Sequence, residues 1–230
     1  MTNSFQKEPN DQEKEKNLLI VFVKNKVLGK VKTRLAKTIG HQAAMCIYDT
    51  LFTLTEEISK KVAVDRHIYF SDAVIPTGWE GDQKFVQKGT DLGARMQGAF
   101  QFGFEQGFKK IILIGSDLPD ITEEIINIGF QKLESKEVVF GPAEDGGYYL
   151  IGMRKMHETI FKEKPWSQSN LLALTLAQLT EEQTTVGLLE TLNDIDTFED
   201  LVASNFYKNN REIQGITNTN LNTFSTKSTS

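Results

Sequence analysis

Three segments of the chain have a hydrophobic pattern that predicts a regular element. Residues 18–24 and 110–115 are almost uninterrupted apolar runs, which is typical of parallel strands covered on both faces. Over residues 41–59, apolar side chains such as Ala44, Ile47 and Leu51 recur three or four positions apart. That spacing predicts a helix with one buried face.

Shorter patterns predict further strands and helices that alternate along the chain. The strands are expected at 66–70, 84–87, 137–141, 148–153 and 184–189, and the helices at 91–108, 122–133, 169–179 and 197–206. This order favours an α/β fold: one Rossmann-like domain with a mostly parallel sheet covered by helices. Ligands of such a sheet bind beyond the carboxyl ends of the strands.

The two ends of the chain are polar and low in apolar residues. We expect a disordered tail at residues 1–16, one domain at 17–208 and a mostly disordered tail at 209–230, because these ends offer little apolar surface to offset the entropy of ordering.

Composition and charge limit the kinds of molecule that this chain is expected to bind. Among 230 residues, 26 Lys and Arg stand against 31 Asp and Glu, which gives a net charge of -5. General nucleic-acid binding is not expected of such a chain. The single cysteine, Cys46, excludes a disulfide framework. No apolar run is long enough to span a membrane. We expect a cytoplasmic protein that acts on a small molecule, and the sequence does not indicate an oligomeric state.

A basic segment follows the first predicted strand. It contains Lys24, Lys26, Lys30, Lys32 and Arg34, with Gly29 and Thr33 between them. Such a cluster suits a polyphosphate, since Arg forms a bidentate fork, Lys supplies a point charge and Gly lets the backbone approach closely. The alternative is a solvated basic face. The segment is not a Walker loop, because Val31 stands where Ser or Thr is required.

Carboxylates with no expected helix-capping role follow two other predicted elements and suggest a metal site. Asp117 comes directly after the strand at 110–115, and Asp120 is expected to cap the next helix. Asp117 is therefore free to hold Mg²⁺ or Mn²⁺. Asp194 and Asp196 precede the last helix, and Asp196 is favoured as the second ligand because it is nearer the helix start. The alternative for these two is a favourable contact with the helix dipole.

Two more segments are candidates for substrate contacts. Residues at the start of the predicted helix at 91–108 are expected to contact a base or ribose through the backbone, and Arg95 to contact phosphate. The candidates are Gly89, Asp91, Leu92, Gly93 and Arg95. The alternative is capping by Thr90 or Asp91. Between the strands at 137–141 and 148–153, acceptor-binding candidates are Glu144, Asp145, Gly146, Gly147 and Tyr148, which otherwise form a hairpin turn. Trp166 stacks on a substrate ring or packs in the core.

Four of these segments, in this order, resemble one bacterial family. VKTRLA at 31–36, GSDLPDIT at 115–122, GPAEDGGYYLIGM at 141–153 and DIDTFEDL at 194–201 are similar to the radical-SAM/selenodomain-associated transferases. GTDLGARM at 89–96 is similar as well. The resemblance implies the glycosyltransferase-A type fold of the nucleotide-diphospho-sugar transferases, and a Mg²⁺-dependent transferase with a nucleotide-activated donor. Lys26 departs from the family, which usually has Pro there.

Three functions are compatible with these features. The first is nucleotidylyl transfer from a nucleoside triphosphate, which the resemblance of the K-T-R-L segment to nucleotidylyltransferase signature loops favours. In it, Asp117 and Asp196 hold the metal while Lys30, Lys32 and Arg34 offset the charge of the departing pyrophosphate. The second is glycosyl transfer from a nucleotide sugar to a small-molecule acceptor, although Pro119 interrupts the Asp-x-Asp common in those enzymes. The third is a non-catalytic nucleotide-binding protein.

Overall fold

The computed structural model describes residues 16–218, and seven strands form one sheet within this range. The strands are β1 (Asn17–Val23), β2 (Asp65–Phe70), β3 (Gln83–Val86), β4 (Lys110–Ile114), β5 (Val138–Pro142), β6 (Tyr148–Met153) and β7 (Val186–Leu188). Their order across the sheet is β3-β2-β1-β4-β6-β5-β7. Only β6 runs antiparallel to its neighbours, β4 and β5, while the other pairs are parallel. The predicted mostly parallel sheet is confirmed.

Helices connect the strands and cover the sheet. They are α1 (Thr33–Ile39), α2 (His41–Lys61), α3 (Leu92–Glu105), α4 (Glu123–Lys132), α5 (Leu171–Glu181), α6 (Phe198–Ala203) and α7 (Asn205–Asn209), with a short 3-10 helix at Glu158–Ile160. Helix α1 was not expected from the hydrophobic pattern. The single closing helix expected at 197–206 is divided into two at Ser204. Within residues 16–218, no helix has both the length and the apolar character needed to cross a membrane.

Strand β1 shows how both faces of the sheet are buried. Its odd-numbered residues, such as Leu19 and Val21, pack in a cluster with residues of α2 and α4. Its even-numbered residues, such as Leu18 and Ile20, pack in a second cluster with residues of α3. An uninterrupted apolar strand thus serves two cores, as the sequence indicated.

A third cluster joins α1, α2 and α6 to the chain beyond residue 208. Residues 211–218 are helical, and Ile213 packs in this cluster with Leu35 and Leu201. The ordered chain therefore continues past 208, where the sequence analysis placed the start of a tail, because Ile213 and Ile216 supply apolar contacts. The remainder of the two predicted tails, 1–15 and 219–230, lies outside the described residues.

Candidate active site

The polar segments singled out in the sequence meet at one edge of the sheet. The segments after β1, β4, β5 and β7 follow strands that run in the same direction. Backbone contacts join them: Ala143 pairs with Leu192 in a parallel bridge, and Ile195 N donates to Asp117 O at 3.1 Å. The predicted convergence of these segments at the carboxyl ends of the strands is observed.

Lys32 joins three of these segments. It precedes α1 in a left-handed conformation, with φ 47° and ψ 46°, and is only 3% exposed. Its Nζ lies 3.0 Å from Asp117 Oδ1 and donates to Ile195 O. A left-handed backbone in a residue other than glycine costs on the order of 1 kcal/mol or more. Lys32 is therefore buried at the centre of the site and is not part of a solvated basic face.

Asp117 is a charged carboxylate beside this lysine. Burial acts to raise its pKa, but the positive charges of Lys32 and Lys24 outweigh burial, so the pKa lies below its ordinary value. Its Oδ1 is buried and, apart from the ion pair, accepts no hydrogen bond from the residues described. The side chain as a whole remains 34% exposed. A carboxylate in this state can bind a cation from the solvent side.

The two aspartates before α6 have different surroundings. Asp196 pairs with Arg34, with Oδ2 and Nη1 2.7 Å apart. The pKa of Asp194 is raised to about 6, first by burial and then by the negative charge of Asp145, with a further contribution from Asp117 and an opposing one from Lys32. Asp194 therefore lies within reach of the negative charges of Asp145 and Asp117. The sequence analysis favoured Asp196 from its nearness to the helix, but in the structure that carboxylate is engaged by Arg34.

These residues fit a divalent cation that arrives with a phosphate ligand. Among residues 16–218, no three metal-ligating side chains stand close enough together to form a complete cage. Mg²⁺, however, usually takes one or two carboxylates and fills its shell with phosphate oxygens and water. The Asp117 carboxylate accepts no hydrogen bond at Oδ1 beyond its ion pair with Lys32 and is 34% exposed, so it has capacity for a further cation. A positive charge would also reduce the repulsion between Asp194 and its acidic neighbours. The donor set is made of hard oxygens, as this cation requires.

The rest of the basic segment is mostly exposed. Lys24, Lys30, Thr33 and Arg34 all have solvent-exposed side chains, and Thr33 and Arg34 form the first turn of α1. Gly29 has a φ of 81° and open space around it. Lys26, in contrast, pairs with Asp49 and lies 3.8 Å from the centroid of the Phe52 ring. Its charge is therefore compensated within the protein by Asp49.

The segment at 89–95 lies at the same edge, after β3, two strands from β1. Asp91 caps α3, since its Oδ1 accepts from Ala94 N at 2.9 Å, so the capping alternative is observed. A side chain at Gly89 would lie 2.7 Å from Arg95 N. Leu92 remains exposed.

Trp166 packs against the same helix. A Cβ at Gly93 would lie 2.5 Å from the Trp166 ring, and the ring also contacts the cluster around α3. The packing role considered for Trp166 is therefore present.

The predicted acceptor segment is divided between two sides. The negative charge of Asp145 raises the pKa of Asp194, and Asp145 Oδ1 accepts the Gly147 N–H at 2.8 Å. Glu144 instead lines a cleft of about 210 Å³ with Asp120 and Asn193. The Tyr148 ring packs 5.0 Å from Phe140, centroid to centroid, and Tyr148 therefore belongs to the core and not to an open loop.

Two features of the site were not found from the sequence. Thr122 caps α4 by accepting from Ile125 N at 3.3 Å, so Asp120 does not have the capping role expected of it. Tyr48 is one of the buried residues of α2, yet its hydroxyl contacts Lys24 and Ser116. A tyrosine on an apolar helix face gives no signal of the partner that its hydroxyl finds.

Comparison with known proteins gives a family and a fold. The family model described as "Uncharacterized protein conserved in bacteria (DUF2064)" matches residues 54–168. A search of curated proteins finds no match. A proposed nucleotide-diphospho-sugar transferase from Desulfovibrio desulfuricans G20 superposes with a TM-score of 0.80 at 29% identity, over 88% of this chain and 97% of that one.

Two nucleotide-using enzymes share the fold at low identity. The 4-diphosphocytidyl-2C-methyl-D-erythritol synthase of Anaerococcus prevotii DSM 20548 has a TM-score of 0.56 at 11% identity, over 85% of this chain and 99% of that one. A CMP:2-keto-3-deoxy-manno-octonic acid synthetase complexed with CTP has a TM-score of 0.50 at 12% identity, over 82% and 96%. Together the matches support the nucleotide-diphospho-sugar transferase fold.

Proposed function

Because the chain belongs to the DUF2064 family and has the nucleotide-diphospho-sugar transferase fold, we propose that it is a metal-dependent transferase with a nucleotide-activated donor. We further propose nucleotidylyl transfer with release of pyrophosphate. The observation that carries this proposal is the ion pair between buried Lys32 and partly exposed Asp117. Lys32 belongs to the mostly exposed basic segment at residues 24–34, called here the cationic segment. The pair and this segment combine an ionised carboxylate for a metal with cations for a polyphosphate at the carboxyl ends of β1 and β4.

In this proposal Asp117 and Asp194 hold Mg²⁺ or Mn²⁺, which when bound stabilises negative charge on the donor phosphates. Lys24, Lys30 and Arg34 neutralise the leaving pyrophosphate. An acceptor oxygen attacks the α-phosphorus, the bond between that phosphorus and the bridging oxygen breaks, and the acceptor proton passes to solvent. No covalent enzyme intermediate is needed, since positioning and electrostatic stabilisation supply the catalysis.

The remaining contacts are assigned by their place at the same edge of the sheet. Gly89, Leu92, Gly93 and Arg95 are proposed to contact the nucleoside, together with Asp91 where its capping role leaves an oxygen free. Thr33 and Gly29 belong to the cationic segment and are proposed to contact the donor phosphates. Glu144, Asp145, Gly146 and Gly147 are proposed to contact the acceptor. Tyr148 and Trp166 are proposed to shape that region through packing.

The experiment is a melting assay of the purified chain with nucleoside triphosphates and nucleotide sugars, with and without Mg²⁺. A ligand at about 100 times its dissociation constant adds roughly 2.7 kcal/mol to stability, which is a rise in Tm of roughly 5–10 °C for a chain of this size. We expect one triphosphate to give such a rise only with Mg²⁺, and Asp117→Asn to abolish it.

Asp65→Asn is the matched control, because Asp65 lies at the amino end of β2, on the opposite edge of the sheet. It should keep the full shift. A triphosphate shift of equal size without Mg²⁺ and in Asp117→Asn would contradict the metal assignment, and no shift with any donor would contradict the proposed function.

Glycosyl transfer is the second candidate, favoured by the 29% identity to the proposed nucleotide-diphospho-sugar transferase. There the same carboxylates would hold a metal against a departing nucleoside diphosphate. Analysis of the phosphate product separates the two reactions. Pyrophosphate indicates nucleotidylyl transfer, and a nucleoside diphosphate indicates glycosyl transfer.

A further inference from the structure

The hydroxyl of Tyr48 contacts the ends of two parallel strands at once. Tyr48 lies on α2 and is fully buried. Its hydroxyl accepts the Lys24 N–H at 2.8 Å and lies 3.0 Å from Lys24 O. The same oxygen is 3.1 Å from Ser116 Oγ. Lys24 is the first residue after β1, and Ser116 directly precedes Asp117 after β4.

The hydrogen-bonding capacity of this hydroxyl is fully used by these contacts. A phenol has one proton to donate and two lone pairs to accept with. It donates to Lys24 O and accepts from Lys24 N, so the Ser116 hydroxyl donates to it. Nothing remains with which to contact a substrate. The hydroxyl can act only through the groups that it holds.

Those groups are the start of the cationic segment and the residue before the metal carboxylate. The neighbouring Asn25 is tied to the segment after β2, since its N–H donates to Ser71 Oγ at 2.9 Å and its Oδ1 accepts from Asp72 N at 2.8 Å. Residues 26–30 beyond it are exposed. Tyr48 therefore anchors the amino end of the cationic segment next to Asp117 at Lys24, while Lys32 holds the other end directly to Asp117.

We propose that the Tyr48 hydroxyl is a positioning group that sets the spacing between the amino end of the cationic segment, residues 24–30, and Asp117. The expected effect of this hydroxyl on turnover rests on the proposed function. Its expected effect on how often residues 24–30 open does not. If donor phosphates are held by the cations and by a metal on Asp117, an error in this spacing misplaces the reacting phosphorus. Misplacement by about 1 Å can cost up to about a hundredfold in rate.

The chain offers a matched control on the same helix. Ser59 is fully buried, and its Oγ accepts from Trp79 Nε1 at 2.9 Å and donates to Glu56 O at 3.0 Å. It lies eleven positions after Tyr48, about three helical turns away. Its neighbour Arg66 belongs to the start of β2. Ser59→Ala therefore removes a buried hydroxyl from α2 at the opposite edge of the sheet.

The test compares Tyr48→Phe with Ser59→Ala by amide hydrogen exchange and by turnover. Tyr48→Phe keeps the ring and its edge contact with Phe52, whose centroid is 6.5 Å away. We expect the hydrogen-bonded amides of Lys24, Asn25 and Val27 to exchange about tenfold faster in Tyr48→Phe, because a segment that loses its anchor opens more often. The value of kcat should fall about tenfold, with the KM for the donor within about twofold.

Ser59→Ala should lower Tm without changing the exchange of the Lys24, Asn25 and Val27 amides or kcat. Exchange at these three amides that is unchanged in Tyr48→Phe, or a kcat no lower than in Ser59→Ala, overturns the proposal. If the wild-type chain turns over no donor, the proposed function fails. Hydrogen exchange then still decides whether Tyr48 holds the segment.

Discussion

Lys32 carries two local costs that its neighbours offset. Its backbone is left-handed, and its ammonium is almost completely withdrawn from solvent. Strained backbone and buried charge persist only where the surroundings demand them, and such positions cluster at functional sites. Here the Asp117 carboxylate and the Ile195 carbonyl compensate the charge. The stability of this pair and the charge state of Asp117 are consequences of the same contact.

Removing Lys32 should therefore cost more than removing an exposed lysine. We expect Lys32→Met to lower the free energy of unfolding by about 1–3 kcal/mol, between the values for exposed and buried ion pairs, since Asp117 is partly exposed. Lys26→Met breaks the more exposed pair with Asp49 and should cost less than about 1 kcal/mol. Urea denaturation of both variants measures the difference. Equal losses would contradict the account of Lys32.

The contribution of this pair should also depend on pH. Because the pKa of Asp117 is lowered by folding, its charge stabilises the folded state above the unfolded pKa of about 3.9. The stabilisation is lost as the pH falls through the folded pKa. The wild type and Lys32→Met should therefore converge in stability below about pH 4.

For single residues, the sequence indicated the chemical type of the side chains at the site better than it indicated where those side chains point. Asp117 could be identified because it follows a buried strand and has no cap to form. Asp196 was favoured over Asp194 only because it is nearer the helix start, since their segment is irregular and its orientation depends on the burial of Ile195 between them. A hydrophobic pattern gives no orientation for three residues outside a helix or strand.

At the scale of elements, the turn between β5 and β6 is fixed by the start of α5. Gly146 has a φ of 88°, and a Cβ there would lie 1.8 Å from Ser169 O. Its carbonyl accepts from Leu172 N at 3.0 Å. The turn that carries Asp145 is therefore packed against the start of α5 and cannot move freely.

The clash at Gly146 can be separated from the cost of a positive φ. Gly107 has the same φ of 88° with open space around it. Gly107→Ala should cost roughly 1–2 kcal/mol from the backbone alone. Gly146→Ala should cost about 1–3 kcal/mol more, because the methyl group forces the turn away from α5. Equal denaturation midpoints for the two variants would show that the turn is not held as described.

Helix α1 is the element that the sequence analysis missed. Its buried residues Leu35, Ala36 and Ile39 have helical spacing, and Gly40 ends it. The signal was present but only seven residues long, and the cations around it favoured a loop. Long periodic elements such as α2 were predicted within two residues, because many positions support the same period.

At the scale of the whole molecule, the site follows from strand direction. Six of the seven strands run the same way, which brings segments distant in sequence to one edge. That convergence could be predicted from alternating strands and helices. The contacts that decide the role of each residue could not be predicted, because they join positions far apart in the sequence. Lys32 reaches Asp117 across more than 80 positions, and Arg34 reaches Asp196 across more than 160.

Asp117 and Asp194, beside the cationic segment, are proposed to form one site for a metal and phosphate. The most direct measurement is the Mg²⁺-dependent part of the Tm shift given by the best nucleoside triphosphate, in Asp194→Asn and in Asp196→Asn. We predict that Asp194→Asn loses this part and that Asp196→Asn keeps it, because Asp196 pairs with Arg34. Loss in Asp196→Asn with retention in Asp194→Asn would contradict the account.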